Sequence, residues 1–129
     1  SPPPSPAPPP PPSSPTVIER PVSCGNPAPG RCSETGGLRD TNELHEVRCC
    51  SDTYRVGWTK KTGCSVWGES NGGPAIPAWG CSADKTFAEA KFICEAVAGA
   101  RLCTVAELEA GCTAGTGCLF DHDLIWALP

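Results

Sequence analysis

The chain has 129 residues, a net charge of −4 and no methionine, and this length favours one compact domain. The mild acidity argues against a clustered basic surface, so no nucleic-acid partner is predicted. No apolar run reaches about 18 residues, so no membrane span is predicted. Because no charged and apolar leader opens the chain, we expect that a secretory signal has been removed.

Residues 1–15 are a low-complexity arm with ten prolines and four serines. Proline fixes φ and lacks an amide donor, so neither helix nor sheet is expected there. The arm is therefore predicted to be a polyproline II helix that rises about 3.1 Å per residue and extends roughly 45 Å. A joint follows, with one short strand at Val17 and Ile18 that Pro21 ends. We thus predict a proline-rich arm and joint at 1–21 and a cysteine-rich globular domain at 22–129.

The arm resembles a known class of wall proteins. Its SPPP and SP repeats at residues 1–6 and its five consecutive prolines at 8–12 are similar to extensins and the hydroxyproline-rich wall glycoproteins of plants and green algae. The resemblance covers these fifteen residues and implies proline hydroxylation and covalent O-glycans on proline and serine. The implied modification sites are Pro2, Pro3, Pro4, Pro6, Pro8, Pro9, Pro10, Pro11, Pro12, Pro15, Ser1, Ser5, Ser13 and Ser14. N-glycans are not expected, because none of the three asparagines lies in an N-x-S/T sequon.

Ten cysteines are the strongest compositional feature: Cys24, Cys32, Cys49, Cys50, Cys64, Cys81, Cys94, Cys103, Cys112 and Cys118. An even number at this density predicts a disulfide framework made in an oxidising compartment, and hence a secreted protein. Structural zinc is the alternative, but the sequence offers no C-x2-C knuckle. Spacing leaves the connectivity open, with one constraint. Cys49 and Cys50 are neighbours on a predicted strand, so they point to opposite faces and need different partners.

After the joint, the sequence predicts a loop at 23–37 held by Cys24 and Cys32. Two short strands follow at 43–50 and 53–59, and then a long stapled loop rich in glycine and proline at 63–80. Trp67 and Trp79 lie in that loop. Loops often carry binding sites, and exposed aromatic rings stack on proline or sugar rings. These two tryptophans are therefore the predicted binding residues, with a core position as the alternative.

Two helices are predicted from capping boxes, in which a threonine is followed three residues later by glutamate. The first begins after Thr86, buries a face with Cys94 on it and stops at Gly99, whereas the second begins after Thr104 and stops at Gly111. A last strand at 119–128 includes Trp126, which we expect in the core with Trp58. The predicted fold is thus a small disulfide-rich α+β domain with two short helices and a few antiparallel strands.

The helical region, residues 85–109, is similar to the first-helix region of C-type lectin-like domains. The matching positions are Phe87, Ala90, Cys94, Gly99, Arg101, Leu102 and Glu107. The resemblance covers roughly 25 residues, a fifth of the chain, and implies a reduced relative of that domain. The Glu-Pro-Asn, Gln-Pro-Asp and Trp-Asn-Asp signatures of sugar-binding members are missing. Calcium-dependent sugar binding is therefore not implied.

The sequence predicts no enzyme, metal site or cofactor. His45 and His122 are interpreted as solvated polar residues, because no serine elbow is present and every thiol is expected to be oxidised. Asp121 and Asp123, like the segment 40–42, lack the glycine and distal glutamate of a calcium loop.

Two functions remain open. In the first, the chain is a structural extracellular subunit whose glycosylated arm docks on a neighbouring copy and builds a filament or wall layer. In the second, it is a lectin-like module that binds wall polysaccharide through Trp67 and Trp79.

Overall fold

The computed structural model describes residues 2–7, 18–69, 81–97, 99–116, 118 and 120–129. Within these residues the chain forms two short helices, seven strands in two antiparallel sheets and five disulfides. The predicted fold class, a small disulfide-rich α+β domain, is confirmed. Residues 2–7 are exposed and lie outside helix and strand. The remainder of the predicted polyproline II arm lies outside the described residues.

The first sheet contains strands β1 (Glu19–Cys24), β2 (Gly37–Asp40) and β7 (Leu124–Trp126), in the order β2-β1-β7. The prediction that Pro21 ends a strand is wrong, because β1 continues through it and pairs Pro21 with Leu38. The Pro21 carbonyl still accepts a hydrogen bond from the Ala127 amide at 2.9 Å. Proline is tolerated in a strand where its missing N–H is not needed. The folded domain therefore includes β1 residues that precede the predicted boundary at 22.

The second sheet contains β3 (Cys49–Ser51), β4 (Thr59–Lys60), β5 (Trp67–Glu69) and β6 (Ala100–Leu102), in the order β4-β5-β3-β6. The predicted strand at 53–59 is wrong, since a turn at Gly57, with φ of 84°, interrupts it. The predicted loop at 63–80 is wrong at β5. A Cβ on Gly68 would lie 2.7 Å from Cγ2 of Thr113, so this glycine marks a strand that packs closely rather than a loop.

The helices are α1 (Phe87–Glu95) and α2 (Val105–Glu109), and both predicted capping boxes are confirmed. Gly111, with φ of 77°, follows the end of α2 as predicted. Gly99 also has a positive φ of 81°, but α1 has already ended with Ala96 as its C-cap. The predicted strand at 119–128 is too long, because a turn of 3-10 helix at Phe120–His122 precedes β7.

The disulfides pair Cys24 with Cys32, Cys49 with Cys94, Cys50 with Cys103, Cys64 with Cys112 and Cys81 with Cys118. The prediction that the neighbours Cys49 and Cys50 bridge to different partners is confirmed. One core contains Cys49 with the buried Trp58 and Trp126, and a second core contains Cys50 with Leu108 and Ile125. The two cores therefore lie on the two faces of β3.

Candidate functional site

Trp67 lies on β5, where its Cα neighbours are Ser51 on β3 and Lys60 on β4. Its indole is half-buried and packs against the core that contains Cys49. The strand therefore fixes this ring from beneath and leaves part of it at the surface. Trp79, the other predicted binding residue, lies outside the described residues.

Tyr54 completes an aromatic pair with Trp67. The two ring centroids are 6.2 Å apart and the rings are nearly perpendicular, at 88°. Tyr54 is 69% exposed, so it offers most of its surface to a partner. Sequence reasoning missed Tyr54 because it placed this residue inside a strand. The only signal available was an aromatic residue close to Gly57, a turn-forming residue.

The backbone beneath Tyr54 is held by side chains of the preceding residues. The buried hydroxyl of Ser51 donates to the Thr53 carbonyl at 2.8 Å and accepts from the Thr53 amide at 3.2 Å. Next to it, Asp52 accepts from Nη2 of Arg101 at 2.9 Å. Tyr54 is thus presented from an anchored turn, which lowers the entropy lost when it binds a partner.

Lys60 brings a positive charge to the aromatic pair. Its Nζ lies 5.2 Å from the centroid of the Trp67 ring, within the range of a cation–π contact. It belongs to β4, which lies at the end of the sheet order and has two exposed residues. The candidate site is therefore an aromatic pair with one cation beside a sheet edge.

Arg101 and Glu107, two positions of the lectin-like resemblance, have structural partners. Nη1 and Nη2 of Arg101 donate to the two carboxylate oxygens of Glu107 at 2.7 and 2.8 Å. These two hydrogen bonds, with the one to Asp52, raise the pKa of Arg101 above its ordinary value. Burial alone would raise the pKa of Glu107, but the hydrogen bonds from Arg101 and from the Thr104 amide outweigh it and hold the pKa low. This carboxylate therefore caps α2 and ties it to β6.

The structure separates the two histidines: His45 packs against Trp126 rather than being solvated, whereas His122 is exposed, as interpreted. His45 is half-buried, and its ring meets Trp126 edge to face with centroids 4.9 Å apart. His122 is exposed, and its Nδ1 lies 2.9 Å from the Arg31 carbonyl oxygen. Both line a polar depression of about 400 Å³ that also contains Glu46 and Asp123. Burial, with Asp123 and Asp84 nearby, raises the pKa of Glu46.

Asp121 is held by hydrogen bonds from a buried arginine and a backbone amide. Its Oδ1 accepts from Nη2 of the fully buried Arg48 at 2.8 Å and from the Gly115 amide at 2.9 Å. Burial alone would raise the pKa of Asp121, but the hydrogen bonds from Gly115 and Arg48 lower it. Sequence reasoning had considered Asp121 for calcium and missed Arg48, which no local pattern distinguishes.

Among the residues that the structure describes, one group brings three potential metal-ligating atoms within 4.8 Å of one another: Cys50, Cys103 and Glu107. Two of these residues form a disulfide, so they offer no thiolate to a metal.

Fold and site together define a class: a disulfide-stapled α+β domain that presents an aromatic pair beside a sheet edge. No protein-family profile, curated protein or solved structure matches the chain. The described helices include none that is long and apolar enough to cross a membrane.

Proposed function

We propose that the chain is a secreted structural glycoprotein subunit that self-assembles into a filament or a wall layer. The O-glycosylated proline-rich arm of one copy docks on the aromatic pair of the next copy. The observation that carries this proposal is the exposed Tyr54 ring, held against Trp67 in a chain that supplies its own proline-rich segment. In this proposal the domain binds and assembles, and it catalyses no reaction.

The chemistry of the aromatic pair suits a polyproline ligand. Proline-rich segments dock in grooves lined by aromatic rings, because flat rings pack on pyrrolidine rings. A polyproline II helix also leaves its carbonyl groups unpaired. The Tyr54 hydroxyl and the Lys60 ammonium are the donors beside Trp67 that meet such carbonyls. A preformed helix loses little entropy on docking, so a small contact suffices.

The disulfides support a location outside the cell. All ten cysteines are oxidised in pairs, and structural disulfides persist in oxidising compartments. Arm and aromatic pair are different surfaces of one chain, so the contact between copies is head-to-tail. A contact of this kind extends without limit unless its rotation closes a ring. Glycans on the arm would then coat the assembly.

The test compares assemblies of the intact secreted chain with variants made in the same host, which must hydroxylate proline. Deletion of residues 1–17 removes the arm and leaves β1, which begins at Glu19, intact. Tyr54→Ser removes the exposed ring without touching the core. Val56→Ser is the matched control, since Val56 is 60% exposed and lies outside the aromatic pair.

We expect fibres in electron micrographs of the intact chain and of Val56→Ser, and none in the deletion variant or in Tyr54→Ser. An isolated arm peptide, residues 1–15 with its modifications, should bind the deletion variant and should lose at least about tenfold in affinity for the same variant carrying Tyr54→Ser. Intact chains that form no fibres, or a Tyr54→Ser chain that forms them normally, would contradict the proposal.

A second candidate function, a lectin-like module for wall polysaccharide, is favoured by the same half-exposed indole of Trp67, because sugar rings also stack on aromatic faces. In this function the deletion variant still binds polysaccharide, because the arm takes no part in binding. A glycan array separates the two functions. If the deletion variant binds a glycan and Tyr54→Ser abolishes that binding, the result supports the lectin. If the deletion variant binds the arm peptide and no glycan, the result supports assembly.

A further inference from the structure

The outer face of α1 carries an apolar surface that the aromatic pair does not include. Phe92 is 75% exposed, more than any other large apolar residue in the described part of the chain. Ala88 precedes it by one turn on the same face, and Ala90 and Cys94 lie buried on the opposite face. Beside Phe92 lies a shallow depression of about 340 Å³, lined by Lys85, Ala88, Glu89, Phe92 and Ile93. An exposed apolar surface with a polar rim is typical of an interaction site.

The order of side chains on this face is complementary to itself. When a second α1 lies antiparallel to the first, residues equally far from Ala90 on either side of it come to the same height. Ala88 of each copy then faces Phe92 of the other, a small side chain opposite a large one. Lys85 precedes the helix, so it lies at the end of α1 where Glu95 of the other copy comes, and these are opposite charges. Glu95 pairs with Lys91 of its own helix at 3.7 Å, but its side chain stays 52% exposed and is accessible to the second copy.

We propose that α1 is a contact surface for a second copy of this chain, related by a two-fold axis. Phe92 of each copy fills the depression beside Phe92 of the other, and two Lys85–Glu95 ion pairs close the ends of the contact. Ile18 extends the apolar rim, since it is 56% exposed and shares a neighbouring depression with Phe87 and Ala88. Such an isologous contact buries the same residues on both copies.

This contact does not depend on the arm. A two-fold contact closes after two copies, whereas the head-to-tail contact of the arm continues. Where both operate, the α1 contact joins two filaments side by side. Where the arm contact fails, α1 alone gives a dimer.

The experiment measures dimer formation by sedimentation velocity on the full chain carrying Tyr54→Ser, which blocks the arm contact, and on the otherwise unmodified chain. Charge reversals test the register. Lys85→Glu or Glu95→Lys alone creates two like-charge pairs and should weaken the dimer about tenfold. The two reversals together restore both ion pairs and should return the affinity to within about twofold of the parent. Lys85→Glu favours the helix dipole, because it places an acidic residue before the helix start. Glu95→Lys also breaks the exposed pair with Lys91, so circular dichroism must show that this variant keeps its helix.

Phe92→Ser should abolish the dimer. The matched control is Leu38→Ser, since Leu38 is 60% exposed on β2 and away from α1, and it should dimerise like the parent. Unchanged far-ultraviolet circular dichroism shows that each variant is folded. A Tyr54→Ser chain that stays monomeric at millimolar concentration overturns the proposal, as does a double reversal that fails to restore the dimer. Both outcomes are independent of whether fibres form.

Discussion

Two cores lie on opposite faces of β3 and are stabilised in different ways. The core that contains Cys49 is rich in large side chains, with Trp58 and Trp126 buried and Trp67 and Phe87 around them, and one disulfide crosses it. The core that contains Cys50 has smaller apolar residues and is crossed by two disulfides, Cys50–Cys103 and Cys64–Cys112.

Side-chain alternation along the chain before and within β3 explains this division. Val47 and Cys49 belong to the core with Trp58 and Trp126, the tryptophan-rich core. Arg48 and Cys50 point to the other face, where the core crossed by two disulfides, the sulfur-rich core, lies. Arg48 is fully buried there and pairs with Asp121, next to Phe120 of the sulfur-rich core. The comparison teaches that large aromatic packing stabilises one half of this small domain, and that cross-links with a buried ion pair stabilise the other. A domain of this size often needs such covalent support.

The largest expected effect comes from removing one disulfide from each core. Cys49–Cys94 and Cys50–Cys103 are separated by 45 and 53 residues, so chain entropy predicts nearly equal losses of about 4 kcal/mol. Because sulfur fills a larger share of the second core, replacing Cys50 and Cys103 by alanine should cost about 1 kcal/mol more than replacing Cys49 and Cys94. Urea unfolding of the two double variants measures the difference. Equal losses would mean that packing around the sulfurs does not differ between the cores.

The next effect separates the buried ion pair from an exposed one. Asp121→Asn removes the carboxylate 2.8 Å from the buried guanidinium of Arg48, and taking this partner from a buried charge should cost about 3 kcal/mol. The matched control is Asp52→Asn, which removes an exposed partner of Arg101 and should cost less than about 1 kcal/mol. Urea unfolding at neutral pH measures both. Similar losses in the two variants would contradict the assignment of Arg48–Asp121 as a structural support of the sulfur-rich core.

Sequence reasoning succeeded where the signal is local. Each capping box lies within four residues, and both helices begin where Thr86 and Thr104 predict. The opposed directions of Cys49 and Cys50 follow from strand alternation and needed no partner to be known. The presence of the disulfides likewise followed from the number of cysteines, whereas their pairing joins residues up to 53 apart and was left open.

Sequence reasoning failed where a residue distant in the sequence determines the local structure. Gly68 indicated a loop, but the close approach of Thr113 places it in a strand. No local pattern signals the burial of Arg48, because its partner Asp121 lies 73 residues away in the sequence. Tyr54, the exposed half of the candidate site, depends on a turn and on a contact with Trp67. No pattern within residues 50–60 predicts that contact.

The smallest expected effect concerns pH and contrasts Glu46 with Asp121. Burial raises the pKa of Glu46, so the folded protein holds this proton more tightly than the unfolded chain does. Its contribution to stability is therefore complete below the ordinary pKa of 4.5 and is lost as the pH rises through the folded value. Asp121 has the opposite sign, because its lowered pKa contributes stability above 3.8 that is lost as the pH falls through the folded value.

Glu46→Gln removes the Glu46 contribution, since glutamine stays neutral at every pH. We expect the variant to match the parent in urea unfolding near pH 4 and to be more stable near pH 7. The gain should be below about 1 kcal/mol, because this side chain is only half-buried and solvent screens its repulsion from Asp84 and Asp123. Glu109→Gln, an exposed carboxylate outside the depression, should change stability by less than about 0.5 kcal/mol at both pH values. A Glu46→Gln variant that is destabilised at neutral pH would mean that this carboxylate supports the fold rather than opposing it.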